Sequence, residues 1–190
     1  MAASETARAA GNQTYVALLR GINVGGRNRL PMTQLRELFE EAGCRRTRTY
    51  IQSGNLVFDA PGSVATTVAS RVSSLLSQQL DLAVPIVTRT AAEMERVVAS
   101  NPFVNSDADL TVLHAGFCLH PPTQAHIAAL DPNRSPPDEC VAQDSELYLR
   151  CPNGIARTKF TSTYLDRTLR TTVTIRNWRT TVALLDLIHT

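Results

Sequence analysis

A single lysine, Lys159, stands among nineteen basic residues. Nearly all the positive charge is therefore carried by guanidinium groups, which bind as planar forks rather than as point charges. Aromatic residues make up 5% of the chain, and the strand LVFDA lacks the aromatic pattern an open RNA-recognition sheet needs. Cys44, Cys118, Cys140 and Cys151 form no CxxC pair, and His114, His120, His126 and His189 are scattered without ligand spacing. A disulfide framework and a zinc site are set aside on those grounds, and small thiols buried in a core are the expectation. No run approaches the roughly 18 apolar residues of a membrane span, and MAASETARAAGNQ has no apolar stretch of the secretory type. The expectation is a cytoplasmic protein without a membrane partner, with residues 1–13 as a disordered arm. A chain of 190 residues can bury a sizeable core without staples.

What is present is charge in blocks. Residues 20–48 hold seven arginines against three glutamates, a balance of +4. Residues 150–179 hold six arginines and Lys159 against Asp166, a balance of +6, whereas residues 61–149 carry four arginines against ten acids, a balance of −6. Such blocks focus anionic ligands on parts of a surface. Solvated faces are also the usual home of charge, so the blocks alone do not define a site.

Periodicity orders the elements. TYVALL (14–19) reads as a strand, and PMTQLRELFEEAG as a helix presenting Met32, Leu35, Leu38, Phe39 and Ala42, with Pro31 in its first turn and Gly43 as its stop. RTRTYIQ and LVFDA make a hairpin around Ser53, Gly54 and Asn55; a helix follows from about Ser63 to Leu80, then strand VPIVT (84–88) and helix AAEMERVVAS. The second half repeats the order. LTVLHAGFCL (110–119) is a strand, TQAHIAAL a helix, and CVAQ with ELYLRC a hairpin. TKFTSTYLDRTL then reads as a helix, TTVTI as a strand, and WRTTVALLDLI as a closing helix with Trp178, Val182, Leu185 and Ile188 together. The fold class expected is α+β: two tandem ferredoxin-like (βαββαβ) halves, 14–100 and 108–190, each followed by an extra helix. The strands are apolar on both faces, so both sides of each sheet should be covered.

That plan decides which loops meet. The first and second strands run parallel with the third between them, so GINVGGRN and QSGN should be neighbours at one sheet end. By the same rule the starts of the last two helices meet, bringing Arg157 and Lys159 near Arg176, Asn177 and Arg179.

The glycine loop matches no standard phosphate motif. Aligned to the Walker pattern from Gly21 and Gly26, it has Arg27 and Asn28 where Lys and Ser or Thr belong, and neither substitutes chemically. Its GxxxGG spacing is not GxGxxG, so no cofactor is implied. What remains is a loop with Arg20, Asn23, Gly25, Gly26, Arg27 and Arg29 beside a hairpin offering Gln52, Ser53 and Asn55. Backbone amides in such turns form anion nests, and arginine forks match carboxylate or phosphate. In the second cluster, Lys159 follows the expected cap Thr158 and Arg179 the expected cap Asn177. Cations at helix N-termini oppose the macrodipole, which a bound anion would offset, as would pairing to an acid within the fold.

VALLRGINVGGRNRLPM, TYIQSGNLVF, and ARTKF followed by TIRNWRT resemble the signature segments of the bacterial family catalogued as domain of unknown function 1697, over about residues 14–188. The resemblance implies a small cytosolic α+β protein and supplies no activity, substrate or catalytic residue. Three functional readings follow. The first is a binding protein or enzyme for a small anionic (phosphorylated or carboxylated) ligand, the second a nucleic-acid-binding module, and the third a non-catalytic protein-interaction domain whose acidic middle meets a basic partner.

Overall fold

The computed structural model describes residues 11–26, 28–105 and 107–190; most of the expected N-terminal arm and Arg27 lie outside the described residues. Two compact units are present, one made of residues up to Ala92 together with Leu187–Thr190, the other of Glu93–Asp186.

In the first unit the chain runs β1 (Gln13–Leu19), α1 (Met32–Glu41), β2 (Arg45–Tyr50), β3 (Asn55–Ala60), α2 (Gly62–Leu80) and β4 (Ile86–Thr90), followed by α3 (Ala91–Ala99), most of which belongs to the second unit. The sheet order is β2-β3-β1-β4, every neighbouring pair antiparallel. The apolar stripes explain how α1 and α2 sit. Leu35, Leu38 and Phe39 of α1, and Val68, Val72 and Leu76 of α2, are buried and share a core with Tyr15, Ala17 and Leu19 of β1 and Leu56 and Phe58 of β3. Phe58 stacks on Tyr15 at 5.5 Å and meets Phe39 tilted at 5.3 Å, geometries favoured by ring quadrupoles. The outer strand β2 is irregular. Its register with β3 shifts between Arg45 and Arg48, and Arg46 between them takes a left-handed backbone and reaches Asp59 at 3.4 Å.

The second unit repeats the plan with β5 (Leu113–Cys118), α4 (Gln124–Ala128), β6 (Glu139–Gln143), β7 (Glu146–Arg150), α5 (Ser162–Leu169) and β8 (Val173–Asn177), and most of α6 (Trp178–Ile188). Its order is β6-β7-β5-β8, again antiparallel throughout. Phe160, Tyr164, Leu165 and Leu169 pack against Cys118, Leu147, Leu149 and Val173, with Ile127 and Leu130 from the α4 region beside them. All residues of β3 and β5 are buried, as strands apolar on both faces require.

Several boundaries differ from the sequence expectation. Residues Leu110–Val112 form a 3-10 turn ahead of β5, because the Asp109 carboxylate accepts the Thr111 amide at 2.9 Å and curls the chain. The helix read from Thr158 begins at Ser162 with Thr161 as its cap, since Phe160 must first enter the core. In α6 the buried residues are Trp178, Thr180, Thr181 and Leu184, so Leu184 replaces Leu185 on the inner stripe. Strands β4 and β8 lie two residues beyond the segments expected.

The buried His114 has an Nδ1 without a hydrogen-bond partner among the described residues. Burial pushes its pKa below 6.5, only partly opposed by a hydrogen bond with Val112. A histidine with a depressed folded pKa binds fewer protons folded than unfolded, so stability is full above the unfolded value and falls as pH drops below it. The melting temperature should decline from pH 7.5 to 5.5, and His114→Gln should shrink that decline; an unchanged slope would show that His114 does not set it.

Candidate functional site

The glycine loop and the β2–β3 turn do meet, and Asn23 joins them. Its Oδ1 accepts the Leu30 amide at 2.8 Å, while its Nδ2 donates to the Leu30 carbonyl at 2.9 Å and to the Gln52 carbonyl at 3.0 Å. A second asparagine closes the loop: Asn28 donates from Nδ2 to the Gly21 carbonyl at 2.9 Å, and its carbonyl accepts the Asn23 amide at 3.1 Å. Both asparagines have left-handed backbones, a conformation asparagine tolerates because its short amide bonds locally. Gly25 and Gly26, also left-handed, carry the tip. Ile22 is buried in the core and anchors the loop at its root.

The hairpin turn is pinned from its own side. Asn55 is wholly buried and donates from Nδ2 to the Tyr50 carbonyl at 3.2 Å and to Ser53 Oγ at 2.8 Å. The Leu19 amide donates to the Gly54 carbonyl at 2.8 Å, extending the β1–β3 ladder into the turn. Gly54 has φ +74, and a Cβ there would lie 2.8 Å from Leu19 Cβ and 2.9 Å from Ile22 Cδ1. Only glycine fits both the dihedral and the space.

Between the loop, the turn and α1 lies a cleft of about 590 Å³ lined by Asn23, Gly26, Arg29, Leu30, Pro31, Met32, Thr33 and Gln52. Arg29 is exposed and has no ion-pair partner among the described residues. Helix α1 opens into this cleft. Its cap position is Pro31, with no capping side chain and no acidic residue in the first turn, and such an end leaves amides and a positive dipole end unsatisfied by the protein.

The expected site residues thus divide by role. Gly26, Arg29 and Gln52 line the cleft, Gly25 stands on the same loop outside that lining, and Arg20 is half-buried at the loop's root with its amide on the Pro85 carbonyl. Asn23, Ser53 and Asn55 spend hydrogen bonds on the scaffold and position the site. Asn28, Pro31 and Thr33 join the site only through the fold; paired asparagines bracketing a glycine run are the sequence signal for Asn28.

The second cluster requires correction. Lys159 is not at a helix start. Its amide donates to Ser135 Oγ at 2.9 Å and its carbonyl accepts Arg134 Nε at 2.7 Å, three residues before α5. Arg157 ends a 3-10 turn, Ile155–Arg157. At α6 the Asn177 Oδ1 accepts the Arg179 amide at 2.9 Å, so that helix end is capped from within. Asp109 is held below the usual carboxylate range by Thr111, through hydroxyl and amide, and further by the Arg179 guanidinium. Burial brings the Arg176 guanidinium down to about 10. Arg157, Lys159 and Arg179 are exposed, but Lys159 precedes α5 and Asn177 caps α6, so the helix-dipole motive for an anion at these two helix starts is gone.

The cysteines have ordinary roles. Burial pushes Cys44 up to about 12, and burial followed by the nearby Cys151 and Cys118 does the same for Cys140; thiols so disfavoured as thiolates are poor nucleophiles.

Residues 13–148 match the family described as "Protein of unknown function (DUF1697)", which spans both the glycine loop and the hairpin turn. The chain belongs to the DUF1697 family. This DUF1697 chain is also similar to a solved structure, that of conserved bacterial protein SP0830 from Streptococcus pneumoniae, with a TM-score of 0.71 and 19% identity over 95% of this chain and 100% of the other. That likeness carries the fold across 95% of the DUF1697 chain. No curated protein matches it. Among the described residues no helix is long and apolar enough to cross a membrane.

Proposed function

We propose that this protein binds a small phosphorylated or carboxylated ligand in the cleft between the glycine loop, the hairpin turn and the start of α1. We read each unit as a ferredoxin-like half, supported by the strand orders and by the two helices packed on one sheet face. The observation that carries the functional reading is the placement of Arg29, without an acidic partner among the described residues, beside an uncapped helix start in a formed cleft. Arginine supplies a forked donor for phosphate or carboxylate, and free amides at a helix start favour negative charge. Gln52 on the turn adds a polar contact that the Asn23 bridge holds in place.

A ligand that binds only the folded state stabilises it by RT ln(1 + [L]/Kd), about 2.7 kcal/mol at a hundredfold excess over Kd. For a chain of this size that raises the melting temperature by roughly 5–10 °C. Titration with inorganic phosphate, pyrophosphate and di- and tricarboxylates at matched ionic strength should show a saturable rise for at least one of them. Arg29→Glu should abolish that rise and leave the melting temperature of the free protein nearly unchanged. A response that survives Arg29→Glu, or none to any of these anions or their organic esters, would overturn the reading.

A further inference from the structure

We infer that the ligand of this cleft is a nucleoside phosphate, a phosphoryl group joined to a flat organic body, and not a bare inorganic anion; this rests on the anion-site reading above.

Size is the first ground. About 590 Å³ falls within the roughly 300–1,000 Å³ of clefts that enclose whole organic ligands, and an inorganic ion would leave most of it filled with water. Lining chemistry is the second. Pro31 and Met32 give the cleft an apolar side, with Leu30 buried beneath, while Asn23, Arg29, Thr33 and Gln52 are its polar members. An inorganic anion has no use for the apolar side. A flat ring does: a proline ring and a thioether pack against it, and a guanidinium stacks on an aromatic face while its edge remains free to donate.

The third ground lies just outside the cleft. Of the large apolar side chains exposed among the described residues, Val24 at 66% and Ile51 at 54% are the most exposed. They stand next in sequence to Asn23 and Gln52, the two residues whose hydrogen bond ties loop to turn, so both segments around the cleft carry an apolar side chain in water. Ile51 also has a left-handed backbone, φ +47, where a β-branched residue is an outlier and glycine or asparagine is favoured. The free protein gains little from isoleucine at such a place, and contact with an apolar ligand group gives it a purpose.

The experiment is calorimetric titration at fixed ionic strength with the four ribonucleoside monophosphates, ribose 5-phosphate, inorganic phosphate, adenosine and a short single-stranded oligonucleotide. At least one nucleoside monophosphate should bind ten times more tightly than ribose 5-phosphate. The double substitution Val24→Ser, Ile51→Asn should bring that ratio to within about twofold while the free protein melts at the same or a higher temperature. Arg29→Glu should weaken nucleoside monophosphate and ribose 5-phosphate alike. Equal binding of nucleoside monophosphates and ribose 5-phosphate, both lost in Arg29→Glu, would overturn this inference and leave the anion site standing. Binding of no anionic probe would overturn both. Tight binding of the oligonucleotide alone, falling steeply with salt, would overturn the inference in favour of a nucleic-acid surface.

Discussion

Gly54→Ala should destabilise the protein by about 3 kcal/mol, lowering the melting temperature by roughly 10 °C. Two costs add. A left-handed backbone costs an L-residue about 1–2 kcal/mol over glycine, and inserting a carbon into filled space costs about 1–3 kcal/mol. The second is not easily relieved. Ile22 Cδ1, 2.9 Å from the new atom, can swing away, but Leu19 Cβ at 2.8 Å is fixed by the β1 backbone, which there also supplies the amide bonded to the Gly54 carbonyl. Denaturant unfolding of the two proteins measures the difference, and a loss under about 1 kcal/mol would mean the turn is free to shift.

Asn23→Ala should cost about 2–3 kcal/mol and also remove anion binding, although Asn23 is assigned no contact with the ligand. Three hydrogen bonds are lost, each with a net value of about 0.5–1.5 kcal/mol, partly offset because water reaches this part of the surface. The functional effect is larger than the energetic one, because the Gln52 bond is the tie between loop and turn. Hydrogen exchange should show the Leu30 amide losing protection while β1 and β3 keep theirs. Asn23→Asp, which keeps the acceptor but turns a carboxylate oxygen toward the Leu30 and Gln52 carbonyls, should cost at least as much and should also remove anion binding. Retention of full anion affinity in Asn23→Ala would show that the loop holds its shape without this residue.

The juxtaposition that matters was legible because it follows from topology: once TYVALL, the helix and the hairpin were read in order, a parallel first and second strand put both turns at one sheet end. The core was legible because Leu35, Leu38 and Phe39, or Val68, Val72 and Leu76, repeat at helical spacing. Around Lys159 local sequence and structure part for a definite reason. Thr158 and Thr161 are equally good cap residues three apart, and what chose between them was the burial of Phe160, a tertiary demand with no local signature. The cleft itself was only half legible. Arg29 and Gln52 stand out by type, but that Asn23 would turn inward to serve the backbone, and that Ile51 would adopt a left-handed conformation, depend on a turn geometry that residue identity does not specify.

The irregular outer strand β2 has a consequence for how copies of the protein behave in company. A sheet's outermost strand has one side of its backbone unpaired, open to the strand of another molecule. In β2 the step in register at Arg46 bends that backbone out of line, and Arg45, Arg46 and Arg48 place like charges wherever a second β2 would lie. The distortion that interrupts pairing with β3 is of the kind that disfavours edge-to-edge joining of crowded chains.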